Sequence, residues 1–84
     1  MQGKIVYINQ KRGIFAVQLE NGFFSVCENI SSCNLEVGQQ VKGPLDSGGR
    51  ETLYNIDESE LFEVSVESPE VTEQGARQAL SQFR

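Results

Sequence analysis

Short runs of alternating apolar and polar residues, separated by turns that contain glycine, limit this chain to a small set of β-folds. Between positions 14 and 20 the side chains Phe15, Val17 and Leu19 share one face, and this period of two is that of a β-strand. We assign these three residues to the core. Asn21-Gly22 follows directly, and this dipeptide is preferred in two-residue hairpin turns. A second strand over 23–27 should therefore pair with the first.

Four further segments have the pattern of strands, at positions 5–9, 40–45, 51–56 and 62–67. The first begins with four consecutive apolar residues, which predicts that both of its faces are covered or that a bulge bends it. The strand over 40–45 contains Pro44, which has no N–H to donate. This strand should therefore end early or lie at a sheet edge.

The strand pattern is complete by Glu67, and the composition changes after Ser68-Pro69. Ser68 is a candidate helix cap and Pro69 a candidate first helical residue. A loose apolar stripe follows, formed by Val71, Ala76, Ala79, Leu80 and Phe83. Gly75 interrupts it at a cost of about 1 kcal/mol relative to Ala. The sequence leaves a short docked helix and a frayed tail equally open, and a barrel should survive deletion of residues 69–84.

The chain has 84 residues, enough for one core and too few for two. Five or six short strands in such a chain are typical of a small antiparallel barrel, because curling closes the sheet edges. We therefore expect an all-β domain over 1–67 and a tail over 68–84.

Charge and composition exclude several function classes. The net charge of −5 argues against coating of duplex nucleic acid or of an anionic membrane. The first 30 residues nevertheless carry +1, from three basic and two acidic residues, which leaves −6 for the remainder. A polyanion would therefore bind to the first third of the chain, which contains Lys4, Lys11 and Arg12. The protein has no His, which is the commonest general base and metal ligand. No nucleophilic side chain has a base beside it in the sequence pattern, so we expect neither an enzyme nor a cofactor.

The two cysteines, Cys27 and Cys33, lack the further ligands that a zinc site needs. We expect reduced thiols that behave as small apolar residues. The longest apolar run has four residues, far fewer than the roughly 20 that span a bilayer. Residues Met1 to Lys4 do not have the pattern of a secretory signal. These features predict a cytoplasmic protein without a membrane partner.

The order of the segments resembles the cold-shock domain, a five-stranded OB-fold barrel. The resemblance covers residues 3–56 and rests on Gly3-Lys4-Ile5-Val6-Tyr7-Ile8-Asn9, Lys11-Arg12-Gly13-Ile14-Phe15-Ala16-Val17, Asn21-Gly22, Phe24-Ser25-Val26-Cys27, Leu35-Glu36-Val37-Gly38-Gln39-Gln40-Val41 and Asn55-Ile56. S1-type and other OB barrels have similar patterns. The resemblance implies an OB-fold-like barrel of five to six strands that binds single-stranded nucleic acid on its first three strands.

Most of the aromatic platform of that family is missing here. The resemblance places Tyr7 where the family has Trp and Arg12 where it has Lys. Small or aliphatic residues stand at its other stacking positions, and since each stacked base contributes about 1–3 kcal/mol, binding should be weak. The nucleic-acid site that the resemblance and the charges imply consists of Lys4, Tyr7, Lys11, Arg12, Ile14, Ala16, Ser25 and Cys27. We expect the last four to form an exposed row on the barrel.

The sequence thus favours weak binding of single-stranded RNA or DNA. The alternative is a protein-interaction or self-association module that uses the same barrel surface without nucleic acid, since a small, uncharged, mildly apolar row also suits protein contact.

Overall fold

The computed structural model describes residues 1–31 and 33–82, with Gln82 described by its backbone alone. Ser32, Phe83 and Arg84 lie outside the described residues, and the expectation that Phe83 belongs to a helical stripe falls there. The described elements are β1 (Gln2–Asn9), β2 (Ile14–Leu19), β3 (Phe24–Asn29), β4 (Gln40–Lys42), β5 (Gly49–Asn55), β6 (Glu60–Val71) and α1 (Glu73–Gln82).

The strands form a closed antiparallel barrel in the order β1-β2-β3-β6-β5-β4. Two three-stranded meanders, β1–β2–β3 and β4–β5–β6, join through β3 with β6 and through β1 with β4. The expected fold class, a small antiparallel barrel of five or six strands followed by a tail or short helix, is confirmed. β4 ends at Lys42, two residues before Pro44, as the missing N–H of proline predicts.

Each strand of the barrel points alternate side chains into the interior, where they form the main hydrophobic core. Phe15, Val17 and Leu19 of β2 are buried there, as predicted, and the rings of Phe15 and Phe62 lie 6.3 Å apart between centroids. The other buried residues of this cluster are Ile5, Cys27, Leu35, Val41, Leu45, Leu53, Val64 and Val66. The inner face of β2 was therefore readable from its period of two.

A bulge bends β1, which is one of the two outcomes that its four consecutive apolar residues predict. The register with β2 shifts between Ile5, which pairs with Val17, and Tyr7, which pairs with Ala16. Ile5 and Ile8 consequently contact the interior, while Val6 and Tyr7 pack on the outside of the barrel. At the start of β1 the backbone lies so close to β2 that a Cβ on Gly3 would be 2.4 Å from Cγ1 of Val17. This position therefore has no room for a side chain.

The turn between β2 and β3 contains three residues rather than two, which corrects the predicted register. The backbone N–H of Leu19 donates to the carbonyl of Phe23, and Gln18 pairs with Phe24. Glu20, Asn21 and Gly22 thus form the loop, with a positive φ of 90° at Gly22 alone among them. Since one extra loop residue moves every side chain of the following strand to the other face, the predicted orientations in β3 are wrong.

β6 is longer than predicted and α1 begins later. Ser68 and Pro69 lie inside β6, at a register shift opposite Val26, where a residue without an N–H is tolerated. Thr72 caps the helix instead, because its Oγ1 accepts a hydrogen bond from the N–H of Gly75 at 3.2 Å. The helix starts four residues beyond Pro69, so the prediction that Ser68 caps it is wrong.

Candidate functional site

α1 lies on the outer surface of β1, β2 and β3, where the resemblance to cold-shock domains places nucleic acid. Its residues Ala76 and Leu80 form a second buried cluster with four residues of the barrel. We call these four barrel residues the helix-covered face: Ile14, Ala16, Phe24 and Val26. None of these four residues is more than 6% exposed. The outer side of these strands is therefore buried beneath α1 and is not open to solvent.

Polar contacts fix the helix at both of its ends. The hydroxyl of Tyr7 donates to Oε2 of Glu73 at 2.6 Å and accepts hydrogen bonds from Arg77. The Arg77 guanidinium also lies 5.0 Å from the centre of the Tyr7 ring. At the other end, Nδ2 of Asn9 donates to the carbonyl of Leu80 at 2.9 Å. The hydrogen bond from Tyr7, together with the charge of Arg77, lowers the pKa of Glu73.

The four residues predicted to form an exposed row are all buried, and they do not share a face. Ile14 and Ala16 do point outward from β2, but α1 covers them. Ser25 and Cys27 point inward because of the three-residue turn. Oγ of Ser25 donates to the carbonyl of Leu45 at 2.7 Å, and Cys27 belongs to the inner core. The expectation of an exposed row is thus wrong.

The remaining predicted residues are spread along β1 and the turn that follows it. Tyr7 is half-buried beside α1 and engaged by Glu73 and Arg77. Lys11 and Arg12 are exposed in the turn between β1 and β2. Lys4 is exposed near the opposite end of β1, next to Gln40 of β4. Among the predicted residues, the structure therefore brings Tyr7 together with Ile14 and Ala16, and Lys11 lines the same groove as Tyr7 and Arg77.

Lys4 lies on a second surface that the sequence did not reveal. Pairing across β1, β4 and β5 places Gln2 beside Lys42 and Lys42 beside Tyr54. We define the basic face by its outward residues, which are Gln2, Lys4, Gln40, Lys42, Arg50, Thr52 and Tyr54. Nζ of Lys42 lies 5.6 Å from the ring centre of Tyr54, which is half-buried. Val41 and Leu53 point into the barrel, so the residues that follow them, Lys42 and Tyr54, point outward. Lys42 and Tyr54 become neighbours of Lys4 only because β1 pairs with β4 to close the barrel.

The basic face has three cations, Lys4, Lys42 and Arg50, and is bordered by Glu63, which lies opposite Thr52 on β6. Within the part of the chain that the structure describes, Lys4 and Lys42 form no ion pair, and Arg50 has an exposed one with Glu63 at 3.9 Å. Such exposed pairs contribute little. Glu20 lies at the rim, where its Oε1 accepts from the N–H of Gln2, and together with Lys4 it lines a shallow groove of about 400 Å³.

Neither thiol is placed for nucleophilic chemistry. Burial raises the pKa of Cys27 to about 12, with a smaller contribution from Glu67. Burial also raises the pKa of the half-buried Cys33. Across residues 1–31 and 33–82 there is no group of three potential metal ligands. No helix in the same residues has the length and apolar character to cross a membrane.

Comparisons with models of known protein families, with curated proteins and with solved structures found no match for this chain.

Proposed function

We propose that the protein binds single-stranded nucleic acid weakly, and that the strand lies across the basic face instead of the surface beneath α1. The observation that carries this proposal is the position of Lys42 against the ring of Tyr54, with Lys4 on the neighbouring strand β1. Arg50 lies four residues before Tyr54 on β5 and extends the line of cations along that strand. Groups of cations along a groove beside an aromatic ring are how many proteins bind single strands without sequence preference.

Each component of the face has a distinct role in this proposal. The three cations contact phosphates, and the Tyr54 ring stacks on one base, which contributes about 1–3 kcal/mol. Gln2 and Gln40, whose side chains hydrogen-bond to each other at 2.7 Å, offer amide groups to base edges. With one ring and three cations, and a net charge of −5 on the chain, affinity should be modest and sensitive to salt.

A salt titration with short pyrimidine-rich and purine-rich single strands tests the proposal. Three phosphate contacts predict a slope of log K against log salt of about −2.1, at about −0.7 per contact. Lys42→Ala should flatten the slope by about 0.7. Tyr54→Ala should weaken binding by about fivefold or more, while Tyr54→Phe, which keeps the ring, should bind like the parent.

Lys11→Ala is the matched control, because it removes one exposed positive charge at the other end of β1. It should leave the slope unchanged. Equal losses for Lys11→Ala and Lys42→Ala would show that binding follows net charge alone. A flat salt response, or no binding at low ionic strength, would refute the function and favour protein interaction.

A further inference from the structure

The segment that joins β6 to α1 contains a strained backbone conformation. Val26 pairs with Ser68 and Phe24 pairs with Val71, so β6 has one residue more than β3 between these pairs. Glu70 lies in this irregularity with a φ of 51°, a left-handed conformation that is unfavourable for a residue with a side chain. Only Thr72 then separates β6 from α1.

The hinge, which we define as residues 69–72, has weak backbone contacts at its first two residues, whereas Val71 pairs with Phe24 and the Glu70 carboxylate accepts a hydrogen bond from Nδ2 of Asn21 at 3.1 Å. Pro69 has no N–H to donate, and the N–H of Glu70 reaches Oγ of Ser25 only at 3.4 Å. Extension at Glu70 would relieve the strained φ and carry α1 away from its own barrel. Short hinges under strain favour exchange of the segment that follows them.

The helix-covered face needs an occupant, since Ile14, Ala16, Phe24 and Val26 would otherwise meet water. The occupant with matching chemistry is α1 itself, with Ala76 and Leu80 for the apolar contact and Glu73 and Arg77 for Tyr7. A second copy of the chain carries an identical helix. Every contact of α1 can therefore be remade between two chains.

We propose that this protein self-associates by exchanging α1, each chain placing its helix on the helix-covered face of the other. The hinge extends in the dimer and the strain at Glu70 is released. This dimer leaves the basic face outward on both chains and is independent of nucleic-acid binding.

Light scattering over a range of protein concentrations, on the parent and on three variants, tests the exchange. The parent should show a reversible monomer–dimer equilibrium. Glu70→Gly accepts the positive φ, so it removes the strain that favours opening, and dimerisation should weaken roughly thirtyfold for two hinges at about 1 kcal/mol each. Glu70→Pro excludes the positive φ and should shift the equilibrium towards dimer.

Glu67→Gly is the matched control, since it removes the same kind of side chain from an exposed position of β6 that has no positive φ. It should dimerise like the parent. A parent that stays monomeric at every concentration would overturn the proposal. So would a dimer whose dissociation constant is the same in the parent, Glu70→Gly and Glu67→Gly.

Discussion

The variant that combines Ile14→Phe, Ala16→Phe and Ser25→Phe should fail to fold. Ala16 and Ser25 are completely buried and Ile14 is 6% exposed, so each larger ring overpacks its site by about 1–3 kcal/mol. Ser25 also loses the hydroxyl that bonds the carbonyl of Leu45. The summed loss of roughly 3–9 kcal/mol is comparable to the whole stability of a small domain. Circular dichroism and thermal melting measure the result.

Gln18→Phe serves as the control, because Gln18 is the exposed outward position that follows Ala16 on the same strand. This change should alter the free energy of unfolding by no more than about 0.5 kcal/mol. A triple variant that melts like its parent would contradict the burial described for β2 and β3. If it also bound single strands more tightly, the surface beneath α1 would be the nucleic-acid site after all.

A chain that ends at Val71 should be strongly destabilised. Removal of α1 exposes Ile14, Phe24 and Val26, and each large side chain loses up to about 1.5–3 kcal/mol of burial. We expect a loss of roughly 4–8 kcal/mol, measured by urea unfolding as a lower midpoint or as the absence of a cooperative transition.

Gln78→Ala is the control for this truncation, since Gln78 is exposed on α1 and its replacement should leave the unfolding midpoint within experimental error. A truncated chain with the stability of the parent would mean that α1 is dispensable. That result would agree with the sequence-based expectation that residues 69–84 can be deleted.

Much of the barrel could be predicted because local patterns determine it. Alternation identifies the inner face of β2, and the run of apolar residues before Asn9 indicates the bulge in β1. The early end of β4 follows from Pro44. Each of these features depends on neighbours in the sequence, so the chain alone carries the information.

The predicted orientations in β3 and the predicted end of β6 are wrong because long-range contacts determine these features. Asn21-Gly22 is compatible with loops of two or three residues, and the three-residue loop buries Phe24 and Val26 under α1 while Ser25 finds the carbonyl of Leu45. The end of β6 depends likewise on pairing with β3 through a bulge. Neither the partner of Ser25 nor that of Val71 can be read from a local period.

The candidate site likewise combines features that the local sequence predicts with features that depend on long-range contacts. Lys4 was recognised as a cation on a strand, but its neighbours Lys42 and Tyr54 lie far along the chain and meet it only through the closure of β1 with β4. Tyr7 was recognised as the single aromatic position that survives from the resemblance. Its engagement by Glu73 and Arg77 depends on where α1 docks.

The packing of α1 on the barrel determines which surface is left for a ligand, and nuclear Overhauser effects between methyl and aromatic protons report that packing. In the folded protein, Ala76 and Leu80 should show effects to residues of the helix-covered face, Ile14, Ala16, Phe24 and Val26. Dilution should preserve these effects, because the helix has the same surroundings in the monomer and in the exchanged dimer. A well-dispersed barrel spectrum in which Ala76 and Leu80 show no such effects and have random-coil shifts would show that α1 does not cover the barrel.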